Sequence, residues 1–160
     1  MRIITDSVNM ISVIRLLAVV LTVSSFALGI PGVLKDVQGY DGKDASDPVL
    51  LTNFTIDLKK STHLTVHGGQ KIFFSSEESM AAYVGNPRVY WMSPFDALTS
   101  PKGAPDVRDS KMLCPSSGEE MVIDMQTPRI YMRNGQALYF CCWGCISAFW
   151  NDPQSFFMDY

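Results

Sequence analysis

Histidine and cysteine are scarce here, two and four among 160 residues. That leaves little material for ordinary acid–base or nucleophilic catalysis, which draws on both residue types. The chain has no phosphate loop and no Gly-x-Gly-x-x-Gly fingerprint, and no Ser-His-Asp set can be assembled from it. Glu119 and Glu120 sit in a turn-like segment and read as solvated. Nothing in this inventory points to an enzyme. Basic clusters are few and the formal charge is −3, which argues against nucleic acid as a partner. Long apolar runs are confined to one place. Ile11 to Leu28 is interrupted only by Ser12, Arg15, Thr22, Ser24 and Ser25.

That run reads as a targeting segment. Arg2 and Arg15 precede its densest part, and Ser25-Phe26-Ala27 offers the small residues that signal peptidase requires. A membrane span needs about 20 apolar residues, so the run is borderline for one. Residues 1–29 are therefore expected to be a cleaved signal peptide, with an uncleaved anchor as the second reading and a buried helix as the third. Asn53-Phe54-Thr55 is a glycosylation sequon and agrees with the secretory route. The expected location is secreted or endomembrane lumen, or membrane-anchored through this segment.

What is present is a repeat. Gly69 to Pro87 aligns without a gap on Gly135 to Pro153, at an offset of 66 residues. Glycine meets glycine, an aromatic pair meets an aromatic pair, and proline meets proline. Within each copy, two short β-prone runs flank a turn. These are His63-Leu64-Thr65-Val66 and Gln70 to Phe74 about His67-Gly68-Gly69, then Arg129 to Met132 and Gln136 to Phe140 about Arg133-Asn134-Gly135. Gly-Gly and Asn-Gly tolerate the positive φ of hairpin turns. A short helix follows in each copy, with Met80, Tyr83 and Val84 or Ile146, Phe149 and Trp150 forming one apolar stripe. Gly85-Asn86-Pro87 and Asn151-Asp152-Pro153 stop those helices. The expected class is α+β, with two hairpin-plus-helix units at 47–91 and 112–160 packed together and a linker over 93–111. Gly32 to Ser46 reads as an exposed lead-in. A unit of about 60 residues buries too little surface to be comfortable alone.

Chemically the copies differ. Ser75 and Ser79 stand where the second copy has Cys141 and Cys145. A spacing of four at a helix start puts both sulfurs on one side of the first turn, with Cys142 turned away by roughly 100°. Cys114 lies upstream on a loop. If the hairpin folds that loop back, three thiolates converge into a soft ligand set suited to zinc or copper(I). Cys142, Asp124, a histidine of the other unit or water would complete the shell. His63 and His67 alternate onto one strand face, as a ligand pair would, but exposed strand residues are the stronger reading. In the first copy, Ser75 is expected to cap the helix, with Glu78 completing a capping box. That copy then reads as metal-free scaffold.

Asn134-Gly135-Gln136-Ala137-Leu138-Tyr139-Phe140-Cys141-Cys142-Trp143-Gly144-Cys145, followed by Phe149 and Asp152-Pro153, resembles the YHS domain and the related TRASH metal-binding domains. Cys114 fits their upstream cysteine. Asp47-Pro48-Val49 is similar to their Asp-Pro-Val-Cys opening, with Leu50 in place of cysteine. The resemblance spans roughly Asp47 to Phe157. It implies treble-clef-like units and one zinc or copper(I) ion per chain at Cys114, Cys141, Cys145 and Cys142. It also implies association with a membrane transporter or another secretory-pathway protein.

Two other uses of the thiols stay open. Oxidising compartments favour disulfides, so the cysteines could staple an extracellular interaction module without metal. Three of them lie within five residues, however, and their mutual pairing closes almost no loop and stabilises little. Cys142-Trp143-Gly144-Cys145 has the Cys-x-x-Cys spacing of thiol-redox proteins, without a thioredoxin-type βαβ context.

Overall fold

The computed structural model of the chain describes residues 38–92 and 105–160. The expected leader at 1–29, and residues 93–104 of the expected linker, lie outside the described residues. Everything described belongs to one compact unit, Gly32–Tyr160, of mixed α and β structure. Among the described residues no helix is long and apolar enough to cross a membrane.

The described residues open with two antiparallel hairpins. β1 (Asp44–Ser46) pairs with β2 (Asn53–Thr55), then β3 (Thr62–Val66) with β4 (Lys71–Phe74), in the register His63 to Phe73. Helix α1 (Glu77–Gly85) follows. The order then recurs. β5 (Lys111–Leu113) pairs with β6 (Glu120–Val122) and β7 (Arg129–Tyr131) with β8 (Ala137–Tyr139), before α2 (Trp143–Asn151) and a last strand, β9 (Phe157–Asp159). Glycine is required in the second turn of each half. Gly135 has φ 92°. Gly68 has φ 81°, and a Cβ there would meet the Leu113 carbonyl oxygen at 2.8 Å.

The two helices match to the residue. α1 and α2 are offset by 66, and their N-caps Ser76 and Cys142 have nearly identical backbones, φ −155° and −156° with ψ 164° in both. The cap is therefore one residue later than expected: Ser76, not Ser75, accepts from the Ser79 amide. Pro87 and Pro153 open equivalent 3-10 turns behind the helices. Ahead of the hairpins the match continues, but at an offset of 67. Gly42 N–H donates to Ile56 O as Asp109 N–H donates to Ile123 O, each at 2.9 Å. The presumed lead-in is thus part of the fold, with Gln38 and Tyr40 buried, and so is the end of the presumed linker, with Val107 buried and Lys111 opening β5.

The halves are joined by reciprocal contacts. Gln70 Nε2 donates to Tyr139 O at 2.8 Å and its Oε1 accepts from Tyr139 N at 2.9 Å. Gln136, 66 residues on, does the same to Phe73, with both bonds at 2.8 Å. Each glutamine thereby satisfies the outward N–H and C=O of the other half's edge strand, groups that would be costly to bury unpaired. Gln38 adds a third clip, accepting from Lys71 N and donating to Ala137 O. The chain ends are exchanged as well. Phe157 of β9 pairs with Val66 of β3, and Trp91 bridges Met132. One apolar core runs through both halves, including Leu64, Ile72, Tyr83 and Trp91 with Ile130, Leu138 and Phe149. The ring pairs Phe74–Tyr83 and Phe140–Phe149 repeat at the same centroid distance, 5.3 Å.

Candidate metal centre

Cys114 follows β5 in a tight turn closed by Cys114 N–H to Glu119 O (2.9 Å) and Gly118 N–H to Cys114 O (2.8 Å). Gly118, at φ 72°, supplies the left-handed residue that the turn needs. The turn aims amides at a buried sulfur. Burial pushes the Cys114 thiol up, but the N–H groups of Cys141, Ser117 and Ser116, with the Ser117 hydroxyl, outweigh it and bring the thiol down to about 7.

The other sulfurs arrive from the start of α2. Cys141 ends the strand region and Cys145 lies in the first turn, their Sγ atoms 3.4 Å apart. Sγ atoms of Cys114, Cys141 and Cys145 all lie within 4.8 Å of one another. Zinc–thiolate bonds of about 2.3 Å place sulfurs about 3.8 Å apart, so the group is of the right size for one ion. Three cysteines brought together this closely could hold a metal ion. Ser116 Oγ donates to Cys145 O at 2.8 Å and Ser117 Oγ lies 3.3 Å from Cys141 Sγ, so the Cys114 turn is tied to the helix start. Ser117 lowers the Cys141 thiol, yet burial and the charge on Cys114 prevail and raise it. Burial and the neighbouring sulfurs also raise Cys145. Cys114 is thus the thiol that ionises first, and its charge holds back Cys141 and Cys145, a penalty that a cation bound among them would relieve.

The first half shows the same socket filled differently. At the position of Cys114, offset by 67, stands Asp47. Its Oδ1 accepts from the amides of Val49 (2.8 Å) and Leu50 (2.9 Å), as Cys114 accepts from Ser116 and Ser117. Its Oδ2 accepts from the Ser75 amide and the Ser75 hydroxyl, both at 2.7 Å, and Ser79 Oγ donates to Oδ1. The backbone turn is also reproduced, with Asp47 N–H on Thr52 O and Leu51 N–H on Asp47 O. Leu51 takes the role of Gly118 at φ 57°. Asp47, not Leu50, therefore matches the upstream cysteine.

The remaining candidate ligands are occupied elsewhere. Cys142 is exposed and caps α2, accepting from Cys145 N at 3.3 Å; it lies outside the three-sulfur group. Asp124 Oδ1 accepts from Gln126 N, Thr127 N and Thr127 Oγ1. His63 contacts Ser61 O (3.0 Å) and Lys71 Nζ (3.1 Å). His67 is not on the strand at all; it opens the 3-10 turn and stacks edge-on to Phe156.

Compared with family models, curated proteins and solved structures, the chain matches none. The resemblance to YHS and TRASH domains therefore rests on the residues quoted above alone. Reading the sequence missed Asp47, the serine tethers Ser116 and Ser117, and the reciprocal glutamines. One signal was available for Asp47: it precedes Pro48 as Cys114 precedes Pro115.

Proposed function

We propose that the chain binds one soft metal ion, zinc or copper(I), through the thiolates of Cys114, Cys141 and Cys145. On this reading both halves are YHS-like, treble-clef-like units, and the first has exchanged its site for Asp47, Ser75 and Ser79. The observation that carries the proposal is the shared socket. Three amides converge on an anion in each half; in one it is a carboxylate held by hydroxyls, in the other a thiolate beside two further sulfurs. Serine hydroxyls stabilise the Asp47 carboxylate by hydrogen bonding, and a soft cation would do the equivalent for three thiolates. Cys142 caps the helix and is left out of the shell.

The apolar leader and the sequon, whose Asn53 is exposed, support a secretory-pathway location. There the chain would receive or pass its ion beside a membrane transporter or another lumenal protein. The test is metal content by elemental analysis, together with a free-thiol count, on anaerobically purified protein. One ion per chain is expected, falling below a tenth for Cys114→Ser. Metal-free protein with a Cys114 disulfide would overturn the reading.

A further inference from the structure

Cys142 is the cysteine that the proposed site does not use, yet its Sγ lies 3.3 Å from that of Cys145. Cys145 Sγ thus sits between two partners, Cys141 at 3.4 Å inside the three-sulfur group and Cys142 outside it. It can serve only one at a time. A sulfur bonded to Cys142 is no longer a thiolate ligand, and Cys114 with Cys141 supplies only half of a tetrahedral shell. Cys142 is exposed and borders the groove that runs beside Glu120, Val122 and Cys141. A dissolved disulfide therefore reaches it first. Cys141 is more enclosed, with its sulfur held against Ser117. The residue pair occupies the N-cap and third position of α2, where the Cys145 amide already points at the Cys142 sulfur.

We infer that Cys142 and Cys145 form a dithiol that exchanges with low-molecular-weight or protein disulfides, and that its oxidation ejects the metal. The inference rests on the proposed three-cysteine site only for the ejection; the exchange stands on the Cys142–Cys145 geometry alone. In the first step Cys142 Sγ attacks one sulfur of the oxidant R–S–S–R, forming a mixed disulfide. The departing RS⁻ takes up the proton that Cys142 has lost. Cys145 Sγ then attacks Cys142 Sγ, releasing the second RSH with the proton from Cys145. Two protein thiols are oxidised and one external disulfide is reduced to two thiols. A bound ion holds Cys145 as its ligand and blocks the second step, so metal and disulfide exclude each other.

The test uses the full chain, reduced and stripped of metal, titrated with hydroxyethyl disulfide and then offered zinc. Wild type is expected to lose two thiols per chain and at least 90% of the zinc it binds before oxidation, roughly the tenfold or greater effect of removing a ligand. Zinc added first should slow loss of the second thiol at least tenfold. Cys142→Ser should hold nearly the same zinc before and after the challenge. Serine is a good N-cap, and Ser76 fills the matching position in α1, so this variant keeps its helix start. Equal loss of thiols and zinc from Cys142→Ser would show that Cys141 and Cys145 pair instead, and would overturn the inference. So would a wild type that keeps all four thiols. If the reduced chain binds no zinc or copper(I) but still loses two thiols only when Cys142 is present, the metal reading fails and the exchange stands.

Discussion

The two halves of this molecule place different chemistry in the same socket. In the first, Asp47 brings its own charge, and the Ser75 and Ser79 hydroxyls stabilise it by donating hydrogen bonds. In the second, Cys114 has the same amide donors, but its neighbours Cys141 and Cys145 are sulfurs that compete with it for negative charge. The carboxylate version is complete by itself. The three sulfurs of the second could hold a metal ion. The backbone around the two sockets is alike, from the turn hydrogen bonds to the helix caps, while the Ser116 and Ser117 tethers of the second stand where the first has Val49 and Leu50.

The comparison is broken most completely by separating its terms. Each half satisfies the other's edge strand through Gln70 or Gln136 and lends it a chain end through Trp91 or Phe157. Residues 105–160 expressed alone should therefore lack a cooperative melt without metal, because a unit of this size buries too little surface to stand unaided. A metal-free fragment melting as high as the parent would show that the exchanged contacts are dispensable.

The next largest effect should come from converting one socket into the other. Asp47→Cys with Ser75→Cys and Ser79→Cys reproduces the three-sulfur group, and the chain should then hold a second zinc ion. Ser75→Cys with Ser79→Cys alone should not, since two thiolates give half a tetrahedral shell and Asp47 remains committed to backbone amides. Elemental analysis of both variants decides the matter. A second ion in the double variant would mean that Asp47 is free to act as a ligand.

Much of this was legible in the sequence, and the rest was hidden for identifiable reasons. The hairpins and helices follow from paired glycines, aromatic pairs and Asn/Asp-Pro stops, all at one offset. Cys141 and Cys145 follow from helical spacing. Asp47 was missed because the offset changes from 66 to 67. The turn after Asp57, whose side chain accepts from Lys59 N, matches the one after Asp124, which accepts from Gln126 N; the matching hydroxyls Ser61 and Thr127 are already one residue closer. At an offset of 66 Cys114 falls opposite Pro48, and the likeness of Asp47-Pro48-Val49 to an Asp-Pro-Val-Cys opening drew the match on to Leu50. Gln38 and Tyr40 were read as exposed because their neighbours are Gly, Asp and Lys. Burial there is set by long-range bonds to Lys71 and Ala137, which local composition does not encode.

Removing the charge without replacing it should cost stability rather than metal. Asp47→Ala removes the shared acceptor of three amides and two hydroxyls, of which Ser79 is buried and the others partly open to solvent, at roughly 3–4 kcal/mol by urea denaturation. The glutamine clips should cost somewhat less. Gln70→Ala and Gln136→Ala each unpair one N–H and one C=O, for about 2–3 kcal/mol apiece. Gln70 should be the costlier because it also donates to Leu113 O. A Gln136→Ala penalty clearly above that of Gln70→Ala would contradict the reciprocity.

The smallest effect is the pH dependence of the first socket. Burial raises the Asp47 carboxyl, but the Ser79 hydroxyl, the amides of Leu50 and Ser75 and the Ser75 hydroxyl prevail and hold it below its usual value of 3.8. The folded chain therefore gives up this proton more readily than the unfolded one. Its stabilising contribution is fully present above the unfolded value, near 3.8, and fades as the pH falls through the lower folded value. Asp57, Asp106 and Asp124 are lowered too. Those contributions are common to wild type and Asp47→Asn, so the difference between the two isolates Asp47. With chelator present throughout, the gap between their urea midpoints should be constant above about pH 5 and should narrow below about pH 4. A gap that persists unchanged down to about pH 2 would mean that Asp47 does not titrate as an ionised carboxylate, and the first socket would then hold no charge to match the thiolates of the second.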